Sequence, residues 1–342
     1  MSELMIGTSA YPTADAALLR EAGIGWIRHG FGFPFVERVG GEVKESYGRN
    51  KARAEALAAK GFKIMGVTPG LGIARHQRDA EGHLALKWQD GQPEWCGPLG
   101  SDRFLGTYQD TCAWLADDLR GIVAGWQVAN ELDWWQFRGP INLRQACDII
   151  LGGARGLKSA DASLIVGPNS AGTERAYFLY GRLYGESDGV LDYCGVDHYY
   201  GTWTPGKPED WEAVIEEVHA IAGMPVLVSE WGFSSTGAGI TDQERRAGLS
   251  VCELKKWHHS WGPGHTPEGQ AAFVEAAFDA FCSQRSALLG AFFYRWEDQQ
   301  KCWQCGQSDC PAETAWGLVD QEGKPKPAFD AFKAGVQKLV AG

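Results

Sequence analysis

Apolar residues along the chain fall into two alternating patterns. Short, nearly continuous apolar runs recur eight times, as "LMIGTSA", "GWIRHGF", "FKIMGVT", "GIVAGWQVAN", "SLIVGPN", "LDYCGVDHYY", "PVLVSEWGF" and "LLGAFFYRW". Runs of this length and make-up predict strands buried on both faces, and hence a parallel sheet. Between them, apolar positions recur three and four residues apart. Trp211, Val214, Ile215 and Val218 form one stripe, Val274, Ala277, Phe278 and Phe281 a second, and Phe329, Phe332, Val336 and Leu339 a third. Each predicts an amphipathic helix with one face on the sheet. Eight strand–helix units predict an α/β fold, a single (β/α)8 TIM barrel spanning residues 1–342. A doubly wound open sheet is the alternative, but "IGTSAYPTAD" after the first strand lacks its Gly-rich turn.

Three strand-to-helix connections are long. They run from about Pro69 to Gly100 after the third strand, Gly232 to Pro267 after the seventh, and Asp298 to Pro325 after the eighth. All three lie on the face where barrel enzymes keep their active sites, and ordered loops of this length build a site or a lid.

Composition narrows the classes. With 44% hydrophobic and 22% charged residues, the chain reads as soluble and globular. A net charge of −11 and the lack of any basic tract argue against nucleic-acid or membrane-surface partners. The start, "MSELMIGTSAYP", has neither the basic nor the apolar region of a signal peptide, so a cytoplasmic location is expected, with a trimmed secreted chain as the alternative. No run reaches the roughly 18 apolar residues of a membrane span. The 15 Trp residues suit the flat apolar faces of sugars, and equally ordinary cores.

Barrel chemistry depends on what projects from the carboxyl ends of the strands. Here those ends carry Arg28 and His29, Asn130 and Glu131, Asn169, His198 with Tyr199 and Tyr200, Glu230 and Trp231, and Trp296. An apolar strand that ends on a carboxylate needs a reason, because burying the charge costs several kcal/mol unless it is paired. Two carboxylates facing each other across a barrel mouth supply one. In glycoside hydrolysis, one carboxyl protonates the leaving oxygen and the other attacks the anomeric carbon or activates water. The acid needs a raised pKa, and the nucleophile needs donors such as Arg28 and a Tyr hydroxyl from the sixth strand.

Asn130-Glu131, His198-x-Tyr200, "SEWG" around Glu230 and Trp296, in this order, resemble the clan A glycoside hydrolases, the retaining (β/α)8 enzymes that include families 5 and 39. The closing "WGLVDQEGKPKPAFDAFK" is also similar, so the resemblance covers the whole chain. It implies a retaining β-glycosidase that needs no cofactor for catalysis and takes a β-linked oligosaccharide or glycoside as its partner. It implies Glu131 as acid/base, Glu230 as nucleophile, Asn130 on the sugar 2-hydroxyl, Arg28 beside the nucleophile, His198 and Tyr200 in the sugar site, and Trp296 as its floor. Trp231, Trp135 and Asn169 are further candidates for substrate binding. The long loops lean towards exo action or short oligosaccharides. A non-catalytic carbohydrate-binding barrel is the rival, though such a barrel typically loses one carboxylate.

Nine cysteines include the cluster "KCWQCGQSDCP". Cys302, Cys305 and Cys310 are one ligand short of a structural zinc site. Cys252, or His258, His259 or His265 in the same preceding loop, would complete it. Disulfides and free thiols are the other readings.

Overall fold

The computed structural model describes residues 3–80, 82, 84–172, 174–186 and 188–342. Eight parallel strands form one sheet: β1 (Met5–Thr8), β2 (Trp26–Gly30), β3 (Lys63–Val67), β4 (Val123–Gln127), β5 (Ile165–Gly167), β6 (Cys194–His198), β7 (Val226–Trp231) and β8 (Leu288–Phe293). Their order is β5-β4-β3-β2-β1-β8-β7-β6, so the first and last strands pair, with Met5 opposite Gly290. The remaining seam is closed by backbone bonds from Asp192 to Val166 (2.7 Å), Gly195 to Pro168 (3.0 Å) and Asp197 to Ser170 (2.8 Å). The chain is a (β/α)8 barrel, and all eight predicted strands fall where the apolar runs lie.

Alternation along each strand divides the core in two. Met5, Trp26, Met65, Tyr193, Leu227 and Phe292 form a small cluster inside the barrel. Their neighbours Ile6, Ile27, Ile64, Val226, Val228 and Phe293 belong to a larger cluster between sheet and helices. The three predicted helical stripes contribute Trp211, Phe278 and Phe332 to that layer. Thr266 caps the helix Pro267–Ser283 by accepting from Gly269 N, with Pro at its first turn, where a missing N–H costs nothing.

Among the register shifts in the sheet, the one near the carboxyl end of β7 bears on the site. Across β8, Ala291 pairs with Val228 and Phe293 with Trp231; across β6, Val196 pairs with Val228 and Asp197 with Glu230. Both neighbours advance one residue fewer than β7, which therefore carries a β-bulge at Ser229–Glu230. Strict alternation from Leu227 would turn Glu230 outward. The bulge turns it in.

The three long loops stand on the carboxyl ends of the strands. The first folds into an antiparallel hairpin, Gly72–Arg78 with Leu84–Asp90. The second and third share a small core of their own, with Val251, Cys252, Trp257, Cys302, Cys310, Ala312 and Trp316 buried together. The hairpin joins them where His76 N donates to Gln304 O at 3.2 Å. Among the described residues, no helix is long and apolar enough to cross a membrane.

Candidate active site

Glu230 leaves β7 at the bulge and meets two donors. Arg28 Nη1 lies 2.7 Å from its Oε1, and the Tyr199 hydroxyl donates to its Oε2. Arg28 is itself fixed: Nε donates to Gln127 Oε1 at 2.8 Å and Nη2 to Asn130 Oδ1 at 2.7 Å. A part-buried guanidinium held at Nε, Nη1 and Nη2 is a well-positioned positive charge beside the carboxylate.

Glu131 sits at the end of β4 in a strained backbone. Ala129 and Glu131 both take positive φ, 57° and 45°. Such conformations cost about 1–3 kcal/mol each and persist only when the surroundings hold them. Here Ala129 N donates to Thr68 Oγ1 (2.8 Å), Gln127 Nε2 to Ala129 O (2.7 Å), and Glu131 N to Asn169 Oδ1 (2.8 Å). The Asn169 amide reaches on to Asn130 Oδ1 at 3.0 Å and Asp197 Oδ2 at 2.5 Å.

Asp197 is the third carboxylate of the site. One oxygen each of Glu131, Asp197 and Glu230 lies within 4.8 Å of the others. Burial, then the charges of Asp197 and Glu230, push the Glu131 carboxyl well above the usual carboxylate range. Asp197 accepts from Ser229 Oγ at 2.5 Å. Asp197 is likewise raised, by burial and then by Glu230, with Arg28 and Ser229 opposing. Of the three, Glu230 is the one that Arg28 pairs with directly.

A cleft of about 320 Å³ opens above these groups. Glu131, Asp197, His198, Tyr199, Glu230 and Tyr294 form its floor, and Trp134, Phe137, Trp203, Trp303, Gln304 and Glu313 are among the wall residues. Glu313 accepts from Tyr294 Oη (2.9 Å) and Gln304 Nε2 (2.7 Å), and burial pushes its carboxyl up to about 7. Burial pushes His198 down to about 4, so its ring is neutral at pH 7.

The expected residues divide by where their side chains point. Glu131, Glu230, Arg28, Asn130 and His198 converge at the mouth. Asn169 is fully buried beneath it and orients Glu131 and Asn130 rather than facing the cleft. Tyr200 stacks behind His198 at 4.6 Å and packs on Trp211; its neighbour Tyr199 makes the bond to Glu230. Trp231 is buried among Phe278, Phe281 and Phe332, turned outward by the same bulge that turns Glu230 in. Trp296 continues the pairing with β1, its N donating to Ser9 O at 3.1 Å, and packs on Phe329 in the outer core, so Tyr294 takes the floor instead. Trp135 is 39% exposed and lies outside the cleft lining; Trp134, 44% exposed, lines it. Asp197, Tyr199 and Tyr294 were legible in principle. They share parity with inward Tyr193 and Phe292 along their strands.

The cysteine cluster assembles with Cys252 as its fourth member. One sulfur each of Cys252, Cys302, Cys305 and Cys310 lies within 4.8 Å of the others, with no disulfide among them. The rings of His258 and His265 are turned to backbone carbonyls, Leu249 O for the first, and Ser234 O and His259 O for the second.

No protein-family profile matches the sequence, and no curated protein is similar to it in sequence. Solved structures are similar in fold. A GH5_18 protein from Streptomyces cattleya in complex with GlcNAc superposes with a TM-score of 0.67 at 17% identity, over 98% of this chain and 80% of that one. A glucosidase from Croceicoccus marinus gives 0.63 at 16% identity, over 99% and 68%. An exo-β-1,4-mannosidase from Opitutaceae bacterium strain TAV5 gives 0.65 at 13% identity; this chain spans 99% of its own length there but only 60% of the mannosidase's. With the barrel closed, its strands in register and its carboxylates at the mouth, the chain has the (β/α)8 fold of the clan A glycoside hydrolases.

Proposed function

We propose that the protein is a retaining glycoside hydrolase acting on β-glycosidic bonds, with residues 1–342 as its catalytic domain. The observation that carries this reading is the unequal pair Glu131 and Glu230. One oxygen of each lies within 4.8 Å of the other; burial and the Asp197 charge raise the Glu131 carboxyl, whereas Glu230 is paired with Arg28 and accepts from Tyr199. Retaining enzymes keep their carboxyls roughly 5–5.5 Å apart, whereas inverting ones leave roughly 6.5–9.5 Å for a water. The close spacing supports retention.

In this mechanism Glu230 attacks the anomeric carbon as Glu131 protonates the departing oxygen, and a glycosyl ester forms on Glu230. Glu131, now ionised, takes a proton from water, the hydroxide adds to the anomeric carbon, and Glu230 leaves. No cofactor enters either step. The three contacts on Asn130 fall on its Oδ1. That leaves the amide NH2 as the donor for a sugar hydroxyl. The glucosidase and mannosidase names of similar folds support a sugar substrate. The wall built by three loops supports short oligosaccharides or exo action.

The test is a panel of aryl β-glycosides and β-linked oligosaccharides assayed with the wild type, Glu131→Ala and Glu230→Ala. Glu131→Ala is expected to lose about 10²–10⁴-fold in turnover. Azide should restore part of it for substrates with good leaving groups, giving the β-glycosyl azide. Azide with Glu230→Ala should give the α-azide. Turnover by the wild type that neither substitution reduces would overturn the role assignment. Binding without turnover across the panel would favour the carbohydrate-binding barrel.

A further inference from the structure

We propose that Cys252, Cys302, Cys305 and Cys310 bind a structural zinc ion that clamps the two loops forming one wall of the cleft. The four residues come from two separate segments, Cys252 from the loop after β7 and the other three from the loop after β8. Their sulfurs nevertheless converge within 4.8 Å, and all but Cys305 are buried. A tetrahedral site with zinc–sulfur bonds of about 2.3 Å has sulfurs roughly 3.8 Å apart. The Cys310 and Cys252 sulfurs lie 3.8 Å apart. A disulfide would need about 2.05 Å and would join the cysteines only in pairs.

The local backbone has the shape such a site needs. Cys302 and Cys305 are brought to one side by a tight turn closed at Gly306, whose φ is 77° and whose N–H donates to Cys302 O at 2.7 Å. That conformation is open to glycine without a side-chain penalty. The amides of Cys305 and Ala312 point at the sulfurs of Cys302 and Cys310, and such donors spread thiolate charge. Four sulfur ligands fill the coordination sphere, so the ion has no open position and no part in the chemistry.

The clamp bears on the cleft through what lies between its ligands. Trp303 and Gln304 separate Cys302 from Cys305, and both line the cleft. Gln304 holds Glu313, which holds Tyr294 on the floor. The hairpin leans on the same turn, with the Arg75 guanidinium 6.0 Å from the Trp303 ring and His76 N on Gln304 O. Metal binding thus orders the wall of the cleft. The metal assignment itself stands apart from the proposed hydrolysis.

The experiment is elemental analysis of the full chain, purified without an affinity tag that binds metal and without added zinc. About one zinc per chain is expected. A mercurial thiol reagent with a chromogenic chelator should release that equivalent. Cys252→Ser and Cys310→Ser should lose it, and Cys282→Ser, on a helix outside the cluster, should keep it. Should the first two variants fail to fold, alkylation of the wild type decides. Four of the nine thiols should resist a maleimide more strongly before zinc removal than after it, and all should react once the chain is denatured with chelator. Protein that carries no metal, whether its thiols react freely or are joined as disulfides by intact mass, would overturn the proposal. So would iron in place of zinc.

Discussion

After burial, Asp197 is the largest influence raising the Glu131 carboxyl. Its carboxylate lies within 4.8 Å of Glu131 and of Glu230, which is paired with Arg28. In the proposed mechanism Glu131 acts as the acid only while protonated, so activity is expected below its pKa and is lost as pH rises through it. Replacing Asp197 by Asn removes the largest charge that raises Glu131 after burial itself. The alkaline limb of the kcat/KM profile is therefore expected to move to lower pH in Asp197→Asn. A limb that stays in place while kcat falls would reduce Asp197 to a packing role.

Among the elements, β7 shows why residue patterns alone misplace side chains. Period-two alternation puts Trp231 in the cleft, but the extra residue at Ser229–Glu230 reverses the parity. A bulge leaves no mark in the sequence here, because neither residue is glycine. Trp231→Ala is therefore expected to cost about 3–5 kcal/mol of stability, read as a lowered Tm, with little change in KM for the folded fraction. Trp134→Ala should do the reverse, raising KM with Tm almost unmoved. The opposite pairing of effects would put Trp231 in the substrate site. The strands themselves were legible, since eight apolar runs separated by helical stripes admit few topologies. So were Glu131, Glu230 and Arg28, each a charge at the end of an apolar run. Tyr199 was obscured by the neighbouring Tyr200, which the resemblance favoured, although strand parity with Asp197 picks out the former. The fourth cysteine lay 50 residues from the third-loop cluster (302 minus 252), and only the closure of the barrel made the two loops adjacent.

For the molecule as a whole, the chemistry and the walls rest on different cores. Glu131, Asp197 and Glu230 stand on the barrel, whose apolar layers run through every strand. The upper wall rests on the separate cluster around Trp257, Cys302 and Trp316. Regions with their own small core open with their own, smaller free energy. With the proposed metal removed, amides such as Gly306 and Cys302 should therefore exchange hydrogen for deuterium well before those of β3 or β8. Equal protection across both regions would mean a single cooperative unit. Such a division gives the molecule a roof that can lift without disturbing the foundation. Under the proposed function, a product would leave by a local opening, and loop sequences could drift towards new sugars while the carboxylates stay where they are.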